Sequence, residues 1–174
     1  MLGFISNGSD KMKKKIIIII HSLSNGGAER VTVNLSQYWV NQGNEVIVVT
    51  NTDIKDDFYR LDPKVKRIAL NLDGISNNII TAIKSNLYRM WVIRRIIKCE
   101  RPDIVLSMMT TANVVAALAT VGLPCAVVGS ERNHPPRLPL GRIWETLRRW
   151  TYGLLDAVVA LTNESADWLR IHTT

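Results

Sequence analysis

Ile16–Ile20 is five isoleucines in succession. A strand turns alternate side chains to opposite faces, so this run has no face to give to water. It fits a strand covered on both sides, the usual condition of parallel sheets enclosed by helices. Val46-Ile47-Val48-Val49, within Glu45–Thr50, repeats the pattern. Further runs at Val65–Leu70, Asp103–Met108, Cys125–Gly129 and Ala157–Leu161 read as strands of the same kind.

Helical patterns separate these runs. Ala28–Gln42 carries Val31, Leu35, Tyr38 and Trp39 at helical spacing and meets Gly43, a helix stop. Ile79–Glu100 carries one apolar stripe through Ile79, Ile83, Leu87, Met90, Ile93 and Ile97. Thr111–Val121 is rich in alanine, Gly141–Leu155 follows a proline-rich loop, and a last helix starts at Thr162 or Asn163. Strand and helix alternate, which predicts an α/β fold: a Rossmann-like, doubly wound parallel sheet with helices on both faces. The domain spans 15–170, after an unstructured leader over 1–14. With 174 residues, 47% hydrophobic and 21% charged, the chain has ample apolar side chain for a core.

Composition excludes several classes. No apolar run approaches the roughly 20 residues of a spanning helix. Lys13-Lys14-Lys15 before the isoleucines imitates a secretion signal, but His21 and Ser22 cut the apolar stretch short. Cys99 and Cys125 read as reduced thiols, and their separation leaves no structural metal site. The expected location is cytoplasmic.

In a doubly wound sheet, ligands sit beyond the carboxyl ends of the strands, so the loops there hold the candidate chemistry. The first reads His21-Ser22-Leu23-Ser24-Asn25-Gly26-Gly27-Ala28-Glu29-Arg30. Gly26 and Gly27 let backbone approach a ligand where a helix N-terminus favours an anion; a tight turn with no ligand is the alternative. The loop is neither G-x-G-x-x-G nor a P-loop, which disfavours a dinucleotide site and an NTPase. Glu29 suits the helix dipole; Arg30 does not, which points either to an outside anion or to a surface ion pair. A second loop, Gly129–Pro136, places Ser130, Glu131, Arg132, Asn133 and His134 in a row as a polar wall. His134 reads as a base, a phosphate contact or an exposed loop residue. Ser107, Thr110, Thr111 and Asn113 form a third wall suited to hydroxyl groups, or cap a helix.

The formal net charge of +7 is unevenly spread. Lys84–Arg101 holds six basic residues against Glu100. Arg132–Arg149 interleaves Arg142, Arg148 and Arg149 with Ile143, Trp144, Leu147 and Trp150. That helix suits an anionic membrane surface, or packs on the core with its arginines solvated. No aromatic stacking ladder or reading motif favours nucleic acid.

Four segments together resemble one family. Gly26-Gly27-Ala28-Glu29-Arg30-Val31 after the first strand resembles the opening of the family 4 retaining glycosyltransferases of GT-B fold. Arg101–Ser107 with Thr111-Ala112-Asn113-Val114, then Ser130-Glu131-Arg132-Asn133, then Asp156–Thr162 resemble three later segments of that family, in order. The resemblance implies one half of a GT-B fold: the N-terminal, acceptor-side domain. The C-terminal domain, which binds the nucleotide-sugar and carries E-x7-E, is expected to be missing, and the chain alone to be inactive.

The resemblance also implies site residues. Gly26 and Gly27 would face the donor diphosphate across the cleft. Glu29 and Arg30 would hold the loop or touch acceptor phosphate. Glu131, Arg132 and Asn133 would line the acceptor crevice, beside Ser107, Thr110 and Asn113. Arg132 stands where some relatives carry a His, so His134 is the candidate catalytic residue. The leaving phosphate would itself help deprotonate the acceptor. No metal and no cofactor are implied; the co-substrate is a nucleotide-sugar, UDP-linked, carrying a hexose or N-acetylhexosamine. The implied acceptor is a glycan or polyprenyl-linked glycan of surface polysaccharide or glycolipid synthesis, at the inner face of the membrane. Arg142, Trp144, Arg148, Arg149 and Trp150 would then meet that surface. The alternative is a standalone, non-catalytic module that binds a phosphorylated or lipid-linked glycan and works with a separate donor-domain protein.

Overall fold

The computed structural model describes residues 12–72 and 79–173. Its elements are β1 (Lys15–Ile20), α1 (Gly27–Asn41), β2 (Glu45–Thr50), β3 (Lys66–Ala69), α2 (Ile79–Glu100), β4 (Ile104–Met108), α3 (Thr110–Thr120), β5 (Ala126–Glu131), α4 (Arg142–Thr151), β6 (Ala157–Ala160) and α5 (Asn163–His172). All strand pairs are parallel, in the order β3-β2-β1-β4-β5-β6. The order reverses at β1, so β1 and β4 flank the switch point where such sheets form a crevice.

The isoleucine run does what its composition demands. Ile16, Ile18 and Ile20 pack toward α1 with Val46, Val48, Leu106 and Met108. Ile17 and Ile19 pack toward α2 and α3 with Ile47, Val49, Ile93, Ile97 and Val115. All five are nearly inaccessible, and each fully buried Ile contributes about 1.5–3 kcal/mol relative to an exposed one. A third cluster joins Val114, Tyr152 and Leu169 with Trp144, Leu147 and Trp168, docking α4 and α5 onto α3.

Gly43 ends α1 at φ +83, the left-handed conformation glycine tolerates, and donates to the Val40 carbonyl at 2.9 Å. Asp103 ties the lower edge of the sheet: its carboxylate accepts from the Lys15 amide at 2.7 Å and from Lys14 Nζ at 3.2 Å.

Three expectations need correction. β5 runs on through Ser130 and Glu131, so these are strand residues rather than loop. Both sit in the ladder opposite Val159 and Ala160 of β6. The helix expected over Gly141–Leu155 stops at Thr151 and continues as a 3₁₀ turn, Tyr152–Leu154. The stripe on α2 buries only its second half: Ile93 and Ile97 are buried, whereas Ile83 and Leu87 are more than half exposed. Most of the expected leader (1–11) and the side chain of Ile79 lie outside the described residues.

Candidate functional site

The β1–α1 loop is pinned from inside. Leu23 is fully buried, and its carbonyl accepts from the amides of Phe58 at 2.9 Å and Tyr59 at 3.1 Å. Gly26 is the N-cap of α1 in extended conformation and lends no side-chain cap. Glu29, the third helical residue, folds back instead. A Cβ added at Gly26 would collide with the Glu29 carboxylate, while Gly27 faces open space. Ser22 Oγ donates to Glu29 Oε1 at 3.4 Å and shares a 2.8 Å hydrogen bond with Ser24 Oγ. Glu29 therefore holds the loop, and Arg30 projects outward into solvent.

Across the switch point, the β4–α3 turn is strained. Met109 takes φ +76, ψ 154 as the N-cap of α3, a conformation costly for a residue with a Cβ. Its amide donates to the Ser130 carbonyl at 2.9 Å, which joins the ends of β4 and β5. The next residue, Thr110, donates from Oγ1 to the Glu131 carboxylate, with both oxygens at 2.9 Å.

Glu131 is buried to 1% exposure, a costly place for a carboxylate without partners. Tyr152 supplies a second donor, with its hydroxyl 2.5 Å from Glu131 Oε2. Asn113 donates its amide N–H groups to Ser107 Oγ at 2.8 Å and to the Ser107 carbonyl at 2.9 Å, and its amide oxygen faces the Tyr152 hydroxyl at 3.0 Å. Burial pushes the Glu131 carboxyl above the ordinary carboxylate range, against the pull of Tyr152, Thr110 and the nearby Arg148 charge. Burial also pushes the Tyr152 phenol upward, reinforced by the Glu131 charge.

This network revises the expected walls of the crevice. Ser107, Thr110, Asn113 and Glu131 are all buried and spend their polar atoms on one another and on Tyr152. They form a floor, not an exposed wall. Arg132 and Asn133, half-buried, follow directly above it in the β5–α4 loop. His134 is drawn toward α5: its Nδ1 lies 3.0 Å from Ser165 Oγ and its Nε2 lies 3.5 Å from Glu164. Thr162 caps that helix by accepting from the Ser165 amide at 3.2 Å, so His134 joins the loop to the start of α5. Loops after β1, β4, β5 and β6 thus all open at one edge of the sheet.

The residues expected at a membrane surface separate. Arg142, Arg149 and Trp150 are exposed, Trp144 is half-buried, and Arg148 is 2% exposed. Arg148 pairs with Glu145 and lies 4.7 Å above the Trp168 ring, a cation–π contact strengthened by desolvation. The helix is turned so that Trp144, Leu147, Arg148 and Thr151 face the protein, and Ile143 and Trp150 are left outward. Sequence reading missed Tyr152 altogether. The only available signal was a buried acid in need of a donor, and no spacing links residues 131 and 152.

Among the described residues, no three His, Cys, Asp or Glu side chains cluster as metal ligands. The two cysteines are free; Cys99 is exposed, and burial raises the Cys125 thiol above its usual range. No helix among the described residues is long and apolar enough to cross a membrane.

Comparison with known proteins agrees with this geometry. A GalNAc-alpha-(1->4)-GalNAc-alpha-(1->3)-diNAcBac-PP-undecaprenol alpha-1,4-N-acetyl-D-galactosaminyltransferase of Campylobacter jejuni is 29% identical over 147 residues, 84% of this chain and 40% of that protein. A UDP-N-acetylglucosamine--N-acetylmuramyl-(pentapeptide) pyrophosphoryl-undecaprenol N-acetylglucosamine transferase of Wigglesworthia glossinidia brevipalpis is 27% identical over 129 residues, 71% of this chain and 36% of that protein. The chain thus spans well under half the length of these relatives. Among solved structures, a lipopolysaccharide outer core galactosyltransferase superposes with a TM-score of 0.66 at 16% identity, covering 92% of this chain and 43% of its own. The sucrose-phosphate synthase of Thermosynechococcus elongatus superposes at 0.72 with 10% identity, covering 92% and 46%. These likenesses show the fold, one Rossmann-like half of a GT-B structure. UDP-N-acetylglucosamine 2-epimerases share it as well, so the fold alone does not select the reaction. The model of Glycosyltransferase Family 4 matches residues 25–173, nearly the whole chain, and the protein belongs to that family.

Proposed function

We propose that this chain is the acceptor-side half of a retaining glycosyltransferase that moves a sugar from a UDP-linked donor to a lipid-linked glycan. The observation that carries the reading is the Gly26–Gly27 pair at the head of α1, beside the β1–β4 switch point, in a chain of Family 4. Gly27 faces open space, so its backbone stands ready for close approach by an anion such as the donor diphosphate. Both curated relatives carry undecaprenol in their names, which supports an acceptor of that class.

In this reading the buried floor of Ser107, Thr110, Asn113, Glu131 and Tyr152 fixes the height and tilt of the β5–α4 loop. Arg132 and Asn133 then receive the acceptor, and Arg30 steers its phosphate. His134, engaged with Ser165 and Glu164, positions the loop rather than standing free as a base. A second domain supplies the nucleotide-sugar, in cis or from a separate protein. Transfer depends on holding donor and acceptor together, so the chain alone binds acceptor and turns nothing over. Arg142, Arg149 and Trp150 rest against the inner face of an anionic membrane.

The test is a transfer assay with UDP-N-acetylhexosamine and an undecaprenyl-diphosphate-linked saccharide. The chain is assayed alone and with the donor-side domain of a family member. Product only in the combined reaction supports the reading; product from the chain alone, or from neither, overturns it.

A further inference from the structure

A cavity of about 330 Å³ opens at the amino edge of the sheet, between the last turn of α2 and the two segments that lead into β4 and β5. Its lining includes Ile97 and Lys98 from the end of α2, Arg101 and Pro102 before β4, and Leu123 and Cys125 before β5. Helices α2 and α3 begin at the carboxyl edge and end at this one, so the cavity lies across the sheet from the crevice loops. The volume falls within the roughly 300–1,000 Å³ of small-molecule sites. We infer that this cavity binds a small amphipathic carboxylate, apolar in its body and held at its charged end by Lys98 and Arg101. It is a second ligand site, independent of the proposed transfer reaction: neither the Gly26–Gly27 turn nor the β5–α4 loop contributes to it.

Two observations select that ligand. The first is charge. Lys98 and Arg101 are exposed cations three residues apart, and like charges at this spacing repel. The acids nearest to them in sequence are committed elsewhere. Glu100 pairs with Lys66 at 2.5 Å and with Lys15 at 3.6 Å, and Asp103 accepts from the Lys15 amide and from Lys14 Nζ. Arg94, one turn back on α2, spends its guanidinium on the carbonyls of Ala119 at 2.7 Å and Val121 at 2.9 Å, which fastens the end of α3 to α2. Among the described residues no carboxylate pairs with Lys98 or Arg101, so the cavity presents two uncompensated positive charges. Arg101 holds its place at φ +48, where a helix end commonly uses glycine, and its amide donates to the Ile97 carbonyl at 2.9 Å. A guanidinium is thus kept at the cavity at some backbone cost.

The second is the rest of the lining. Ile97 and Pro102 are buried, and Leu123 and Cys125 are partly so. Burial, aided by the Asp156 charge, holds the Cys125 thiol above its usual range, so this side chain enters the lining uncharged. A bare inorganic anion would leave these apolar groups facing water. A neutral hydrocarbon would leave both cations without a counter-charge. A carboxylate on an apolar body meets both demands, and the fork of Arg101 matches its two oxygens with parallel hydrogen bonds.

The test uses octanoate as the probe, below its micelle concentration, and follows alkylation of each cysteine by iodoacetamide with mass spectrometry. Cys125 lines the cavity; Cys99, exposed and outside the lining, is the internal control. Octanoate should protect Cys125 saturably and leave the Cys99 rate unchanged. Acetate, which lacks the body, and octanol, which lacks the charge, should each need about tenfold higher concentration or more for the same protection. Lys98→Gln and Arg101→Gln, both at exposed positions, should each weaken octanoate about tenfold. The backbone amides of Leu123 and Cys125 in nitrogen-labelled protein report the same titrations, so a slow thiol leaves the test intact. Four results would overturn the inference: no saturable effect of octanoate, equal protection of Cys99, acetate or octanol as effective as octanoate, or native affinity in both variants. Sugar transfer plays no part in the measurement, so its outcome and that of the transfer assay are read separately.

Discussion

Tyr152 donates a 2.5 Å hydrogen bond to Glu131 Oε2 beneath the loop that leads from β5 to α4. The two residues lie 21 positions apart and meet because α4 ends one residue before Tyr152 and a 3₁₀ turn swings the phenol back under the sheet edge. Tyr152→Phe removes the donor and leaves a buried carboxylate short of a partner. The expected loss is about 1–3 kcal/mol in denaturant unfolding. An unchanged midpoint would mean that Thr110 and the Asn133 backbone satisfy Glu131 without Tyr152.

The pH dependence follows from the same carboxyl. Glu131 is raised in the folded protein, chiefly by burial, above its ordinary value of 4.5. Between that value and the raised one, the folded state holds a proton that the unfolded state has released. The contribution of Glu131 to stability is therefore fully present below about 4.5 and declines as pH rises through that window. Glu131→Gln keeps the shape and removes the titration. Stability curves of the two proteins against pH should diverge across this window, with the native chain falling relative to the variant; parallel curves would contradict the assignment.

Gly26 is needed for room as much as for backbone freedom. Gly26→Ala drives a methyl into the Glu29 carboxylate, and overpacking of this kind costs about 1–3 kcal/mol. Gly26→Ala combined with Glu29→Ala removes the collision. Thermal unfolding should show the double variant recovering much of the single variant's loss. A loss that simply adds across the two sites would place the collision elsewhere.

Arg148 and Arg142 sit on one helix and look equivalent in sequence. Arg148 is buried against Trp168 and Glu145, whereas Arg142 is exposed. Arg148→Met should cost about 1–3 kcal/mol by stranding the Glu145 charge and losing the ring contact. Arg142→Met should stay within about 0.5 kcal/mol. Comparable effects in unfolding would contradict the orientation of α4.

The architecture was legible because Ile16–Ile20 and Val46–Val49 admit a strand only when covered on both faces. Local periodicity then placed α1 and α2 within a residue or so. Arg148 was not legible, because α4 presents apolar residues over a broad arc and either edge of that arc can face inward. Trp168 and Glu145 settle the rotation, and Trp168 belongs to an element 20 residues on. Glu131 was misread for a related reason. Polar residues at a strand's end usually mark a loop, but a carboxylate stays in the sheet when Thr110 and Tyr152 arrive from distant positions to satisfy it. The Gly26–Gly27 turn was legible from composition; the role of Glu29 in holding it required the fold.

Equilibrium binding tests the central claim most directly. The chain would be titrated with a short-chain polyprenyl-diphosphate saccharide and, separately, with UDP-N-acetylhexosamine. The account predicts saturable binding of the lipid-linked saccharide, abolished or weakened by Arg132→Ala, and binding of the nucleotide-sugar too weak to saturate. Tight binding of the nucleotide-sugar with none of the lipid-linked saccharide would contradict it and make this chain a donor-side domain.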